Sequence, residues 1–179
     1  MLSKELRSAS QIVALVGLFF SILMFIPWLA SVAAGWKGGE DFLWSGLTAG
    51  FVCILVLLAT RGETPKISAR FGILVVNFLW WVVPLICALP FILALPELTL
   101  MDAIFEATSG LTTTGATVLN DLINQPRPIL LWRSLMQWIG GLGILSLGLI
   151  LLPFLRVGGM QLFRMESSDR ADKPLPRLI

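Results

Sequence analysis

The residues best suited to chemistry form a polar run in an otherwise apolar chain: Thr112, Thr113, Thr114, Gly115, Ala116 and Thr117, directly after the segment Leu100 to Leu111. Three consecutive β-branched threonines followed by glycine continue a helix poorly, so an extended backbone is expected. Non-helical backbone persists at membrane depth only where protein buries it or where it lines a water-filled path, because lipid cannot hydrogen-bond to it. Carbonyl oxygens turned toward such a path would replace the hydration shell of a passing cation. Gly115 suits this role, since a residue without Cβ takes positive φ without a clash and lets successive carbonyls face one side. A helix ending at Leu111 would add partial negative charge at the same place. The candidate ion contacts are therefore the backbone carbonyls of Thr112, Thr113, Thr114, Gly115 and Ala116, and the chemistry favours a cation over an anion.

These residues need a support. Thr99 and Asp102 have the T-x-x-D spacing of a capping box, and Met101, Ile104, Phe105, Thr108 and Leu111 recur at helical spacing. A short helix over Leu100 to Leu111 follows. At 1.5 Å per residue it is about 18 Å long, against a hydrocarbon core of about 30 Å, so it should enter the membrane, stop inside and hand over to a returning chain. Asp102 reads first as its cap. Glu106 is a carboxylate on a membrane-inserted helix and needs a partner or water, and Arg133 is the candidate partner. Asp102, Glu106 and Arg133 are thus the candidate supports of the polar run.

Composition sets the class in which this happens. The 179 residues are 56% hydrophobic and 13% charged, with a mean hydropathy of +0.87, which describes an all-α integral membrane protein. A net charge of +2 with dispersed basic residues excludes a nucleic-acid stripe. Histidine and tyrosine are absent, which removes histidine metal sites and Ser-His-Asp triads; no enzyme activity and no covalently bound cofactor are expected. Cys53 and Cys87 lie in apolar runs and read as buried thiols.

The first apolar run, Ile12 to Ala34, is longer than the roughly 7–15 residues of a signal-peptide core and reads as a span, with a kink expected at Pro27. A turn at Trp36 to Asp41 leads to a second span, Phe42 to Thr60. The link Arg61 to Arg70 carries Arg61, Lys66 and Arg70, and the N-terminus carries Lys4 and Arg7, so both are placed on the cytoplasmic side. A third span covers Phe71 to Leu95. In it Asn77 is expected to make an interhelical hydrogen bond, and Trp80 and Trp81 to pack or mark an interface. A polar external loop, Leu119 to Pro128, precedes the last span, Ile129 to Leu155. Glu97, Asp102, Glu106 and Asp121 bias the outer side toward acidic charge. Gly140, Gly141, Gly143 and Gly148 read as close helix packing, not as a dinucleotide fingerprint, since no strand precedes them. The expected architecture is two accessory transmembrane helices in residues 1–70, a helix, re-entrant helix with loop, and helix unit in residues 71–157, and a cytoplasmic linker or tail in residues 158–179.

Several separated motifs also carry a family resemblance. Asp102 to Gly110 (DAIFEATSG) followed by Thr112 to Thr117 (TTTGAT), then Gln137 to Gly143 (QWIGGLG) and Arg156 to Phe163 (RVGGMQLF), resemble the Trk/Ktr/HKT potassium transporters, most closely the bacterial TrkH/TrkG branch. The resemblance implies potassium uptake across the bacterial inner membrane by a multi-pass protein. Leu100 to Leu111 would be the first pore helix and Thr112 to Ala116 the selectivity filter, with K⁺ at Thr113 and Thr114 and K⁺ as the transported ion. It further implies a homo-oligomer in the lipid bilayer and a cytoplasmic nucleotide-binding regulatory subunit. The family carries four such repeats in one chain, whereas this sequence holds one TTTGAT copy. A carbonyl ring needs about four strands, to be supplied by the remaining pore repeats or by further copies of the chain. The expectation is a part of a Trk-type transporter. Two further readings stay open: a self-assembling homotetrameric cation channel, which symmetry permits, and a non-conducting membrane assembly or scaffold subunit in which the Thr/Gly run is a packed turn.

Overall fold

A computed structural model describes residues 2–61 and 69–151 of the chain. Most of the link at 61–70, the motif at 156–163 and the tail lie outside the described residues. Among those described, the structure is all-helical: α1 (Leu2–Leu23), α2 (Phe25–Ala34), α3 (Glu40–Ala59), α4 (Ala69–Ala94), α5 (Leu100–Leu111), a 3-10 turn (Leu122–Asn124) and α6 (Arg127–Leu151). The chain divides into two compact units, residues 1–142 and 143–179. The first holds α1 to α5 and most of α6; in the second, the described residues belong to the end of α6. Among the described residues, four stretches are long and apolar enough to cross a membrane: Lys4–Ala34, Glu40–Ala59, Phe71–Ala94 and Arg127–Ser146. The short α5 is separate from them, so four spans and one half-length helix match the architecture read from the sequence.

The first span is interrupted near Pro27, where the kink was expected: Met24 keeps helical dihedrals and its bond to the Phe20 carbonyl at 3.1 Å. Pro27 cannot donate to the carbonyl of Leu23, and its ring crowds that carbonyl. α1 ends at Leu23, and α2 starts after the single residue Met24. Small residues then let α1 and α3 approach. Ser21 Oγ donates to the Gly46 carbonyl at 2.7 Å, and a Cβ at Gly50 would lie 2.7 Å from Ser21 Oγ. Gly17 faces Cys53 in the same way. The pairing of 17 with 53 and of 21 with 46 and 50 is antiparallel, so the start of α1 and the end of α3 share one end of the bundle.

The core of the first unit joins α4, α5 and α6 with Phe20 of α1 and Phe42 of α3. Phe42, Phe91, Ile129, Trp132 and Met136 are fully buried. Trp132 Nε1 donates to the Cys87 carbonyl at 3.1 Å, and the Phe42 and Trp132 rings meet edge-on with centroids 6.1 Å apart. Cys53 and Cys87 are buried free thiols, as expected. Asn77 departs from expectation: its Nδ2 donates to the Ile73 carbonyl of its own helix at 2.8 Å. Its side chain is exposed, and the nearest acceptor is the carbonyl one turn back rather than a neighbouring helix. Trp80 and Trp81 are exposed, as suits a lipid-facing or interfacial position. On the other side, the Arg127 guanidinium lies 5.7 Å from the Trp36 ring centroid and ties the turn after α2 to the start of α6. Asp121 serves its own turn, accepting from Asn124 Nδ2 at 2.6 Å.

Candidate functional site: the polar run after α5

α5 begins with the capping box its sequence encodes. Asp102 N donates to Thr99 Oγ1 at 3.2 Å, and Asp102 Oδ2 accepts from Thr99 N at 3.0 Å and from Thr99 Oγ1 at 2.6 Å. The hydroxyl contact, followed by the backbone one, holds the Asp102 carboxyl below the usual carboxylate range. The helix spans 12 residues, about 18 Å, and stops where it was expected to.

Its end is a Schellman motif. Thr113 N donates to the Gly110 carbonyl at 3.1 Å and Thr114 N to the Ser109 carbonyl at 3.0 Å, closing the last turn. That motif requires a left-handed residue, and Thr113 fills the slot at φ +58°. The backbone is therefore not extended from Thr112 onward, as the threonine run suggested. It turns at Thr112 and Thr113 and follows an irregular path from Thr114 to Leu119. Gly115 takes φ +75°, the conformation for which its missing Cβ was singled out.

The chain returning from this turn is pinned to α5. Ser109 Oγ donates to the Ala116 carbonyl at 2.6 Å. Glu106 Oε1 accepts from Thr117 Oγ1 at 2.6 Å and from Val118 N at 2.7 Å. Thr117 Oγ1 in turn accepts from Leu119 N and from Arg133 Nη1, both at 3.1 Å. The remaining carboxylate oxygen, Glu106 Oε2, makes no hydrogen bond of ordinary geometry; its partner is the Arg133 guanidinium, with which it forms an ion pair. Glu106 is fully buried and Arg133 nearly so. A buried carboxylate with one charged partner and two further donors is compensated as such groups must be.

α6 meets the end of α5 at backbone contact. A Cβ on Gly140 would lie 2.0 Å from the Leu111 carbonyl oxygen, and one on Gly141 would lie 3.5 Å from Thr113 Cγ2. Close packing thus holds at Gly140; at Gly141 a Cβ would make an ordinary contact, at Gly143 it would meet no described atom, and the surroundings of Gly148 lie outside the described residues. Gln137 approaches Gly115, its Nε2 being 3.9 Å from where a Cβ would stand.

The structure brings Glu106 and Arg133 together at the return limb, on Thr117 and Val118, whereas Asp102 stays at the start of α5, bonded to Thr99 as its cap. Residues 113–118 are left exposed along one side while their other contacts run into α5 and α6. Among the candidate carbonyls, that of Ala116 is engaged by Ser109. Ser109 and Thr117 are the two anchors that sequence reasoning missed. Ser109 carried a signal, lying three residues after Glu106 on one helix face; Thr117 carried none that separated it from its threonine neighbours. Among the described residues no group of His, Cys, Asp or Glu could hold a metal ion; the arrangement offers carbonyls and hydroxyls.

Comparison with known proteins agrees in sequence and in fold. The sequence model of the TrkH family, described as a cation transport protein, matches residues 46–179. The Trk system potassium uptake protein TrkH of Escherichia coli K12 is 41% identical over 175 residues, covering 96% of this chain and 36% of the relative. TrkI of Halomonas elongata is 37% identical over 170 residues, covering 93% and 34%. The crystal structure of the potassium transporter TrkH from Vibrio parahaemolyticus superposes with a TM-score of 0.80 at 35% identity, covering 86% of this chain and 33% of that one. The chain thus spans about a third of the length of these relatives. An all-helical membrane chain with these motifs and this match belongs to the TrkH family of cation transport proteins.

Proposed function

We propose that this chain supplies one pore repeat of a potassium uptake transporter, with residues 112–116 as one strand of its selectivity filter and K⁺ held near Thr113 and Thr114. The observation that carries the reading is the pinned loop. A non-helical strand stands exposed along 113–118, its backbone set by positive φ at Thr113 and Gly115 and its return limb fastened by the buried Glu106–Arg133 pair. A strand held this firmly on one side and open on the other suits carbonyl coordination of a cation, with Thr112 to Gly115 directed by the turn and Ala116 fixed to Ser109. The relatives are named potassium uptake proteins, which makes K⁺ the ion of choice.

In this reading residues 1–70 form the accessory pair, 71–157 the pore repeat and 158–179 a cytoplasmic linker, with the N-terminus cytoplasmic. A ring of about four strands is completed by the remaining pore repeats or by further copies of this chain. A homo-oligomer and a cytoplasmic nucleotide-binding regulatory subunit complete the assembly. The test is rubidium uptake by potassium-uptake-deficient cells expressing residues 1–179, alone and with the remaining repeats, beside Gly115→Ser at matched membrane abundance. Uptake that requires the added repeats and that Gly115→Ser alters is the expected result. Uptake by the chain alone would make the self-assembled channel the working reading. Uptake indifferent to Gly115→Ser, or none in any combination, would leave the scaffold.

A further inference from the structure

The first unit contains a second concavity far from the filter strand in sequence and in lining. A groove of about 530 Å³ runs between α1, α3 and α4, with Val13 and Ala14, Val52 and Val56, and Phe78 and Leu89 on its three walls. Its walls are almost wholly apolar. The hydroxyl of Thr48, which also borders it, is turned back to the Trp44 carbonyl of its own helix. Water in such a groove would lack hydrogen-bond partners, and an empty groove would forfeit the contacts of every wall. The groove is open to the membrane side, where Val52 and Leu85 are 56% and 48% exposed.

Length and charge say what fits. From Phe78 to Leu89 the wall on α4 is about 16 Å long, close to one leaflet of a hydrocarbon core of about 30 Å. Beyond Ser10, the groove residue nearest the start of α1, Arg7 lies one turn further along on the neighbouring stripe of the helix. The antiparallel register of α1 and α3 brings Arg61, just past the end of α3, to that same end. Both arginines are exposed, and neither is in an ion pair among the described residues. Glu5 falls on another side of α1, roughly 140° from Ser10 at 100° per residue.

We propose that this groove is a binding site for one anionic glycerophospholipid, an acyl chain lying between α1, α3 and α4 and the phosphate-bearing headgroup held by Arg7 and Arg61. Cations at the mouth of an apolar interhelical groove recognise an anionic lipid head in this way. The lipid would fasten the accessory helices α1 and α3 to α4, the first helix of the pore repeat.

The test is native mass spectrometry of the 179-residue chain in detergent, loaded with dioleoylphosphatidylglycerol or with dioleoylphosphatidylcholine. The wild type should retain one phosphatidylglycerol per chain in clear preference to phosphatidylcholine. Arg7→Gln and Arg61→Gln should each reduce that preference about fivefold, and the double variant about 25-fold. Both sites are exposed, so these variants keep the fold, which circular dichroism verifies. Val52→Trp, placed at an exposed wall position, should fill the groove and lower retention of both lipids. Equal retention of the two lipids by the wild type would overturn the proposal, as would a preference that survives the double arginine variant. Undiminished binding by Val52→Trp would place the lipid elsewhere, and no retention at all would mean that a protein segment covers the groove; either overturns it.

Discussion

Glu106 on α5 and Arg133 on α6 form a buried ion pair behind the loop that follows α5, and the same carboxylate accepts hydrogen bonds from Thr117 and Val118. Two helices and a loop are therefore held by one side chain. Removing one partner of a buried pair leaves the other charge uncompensated, which costs about 3–5 kcal/mol. Arg133→Gln should accordingly lower the thermal midpoint of the detergent-solubilised chain strongly, and Glu106→Gln/Arg133→Gln should restore part of the loss by removing both charges. A single variant as stable as the wild type would show that the pair does not support the loop.

Gly140 sits where α6 touches the end of α5. A Cβ would stand 2.0 Å from the Leu111 carbonyl, a backbone atom that cannot rotate away, so Gly140→Ala must separate the two helices. Overpacking of this kind costs about 1–3 kcal/mol or more. Gly72→Ala is the matched control, because a Cβ there meets no atom within 4 Å and alanine improves helix propensity. Thermal unfolding of both variants should show a loss at 140 and none at 72.

The sequence carried these relationships unevenly. The limits of α5 were readable because the capping box and the apolar spacing are local, and the structure returns Leu100–Leu111 with both reciprocal bonds in place. Glu106 with Arg133 was readable because a carboxylate at membrane depth demands a partner. The disturbance at Met24 was readable from Pro27, which removes the bond to the Leu23 carbonyl one turn back while Met24 keeps helical dihedrals. The left-handed Thr113 had no signal at all, since a β-branched residue is the last expected in that slot. It accompanies the Schellman closure, in which Thr113 N and Thr114 N bond back to Gly110 and Ser109. Asn77 misled for the converse reason, its local acceptor being invisible to an argument about helix pairs.

Thr113 at φ +58° holds a conformation that L-residues avoid at about 1–2 kcal/mol. Thr113→Gly should remove that cost while leaving the two closing hydrogen bonds available, because both use backbone N–H groups. The expected result is unchanged or raised thermal stability of the chain. A marked loss of stability would instead assign the main contribution of Thr113 to its methyl group against Gly141.

Asp102 gives the start of α5 an acid response of known direction. Its carboxyl titrates below its usual value because Thr99 donates to the ionised form through its hydroxyl and its backbone. A depressed folded-state pKa means that the cap contributes fully above the unfolded pKa of about 3.9 and is lost as pH falls through the lower folded value. Amide exchange at residues 100–103 should thus remain slow at pH 5 and accelerate only below the ordinary carboxylate range. Asp102→Asn removes the titration, so its exchange, corrected for intrinsic rates, should be nearly independent of pH over the same interval. Acceleration of the wild type near pH 5 would mean that the Thr99 contacts do not stabilise the ionised cap.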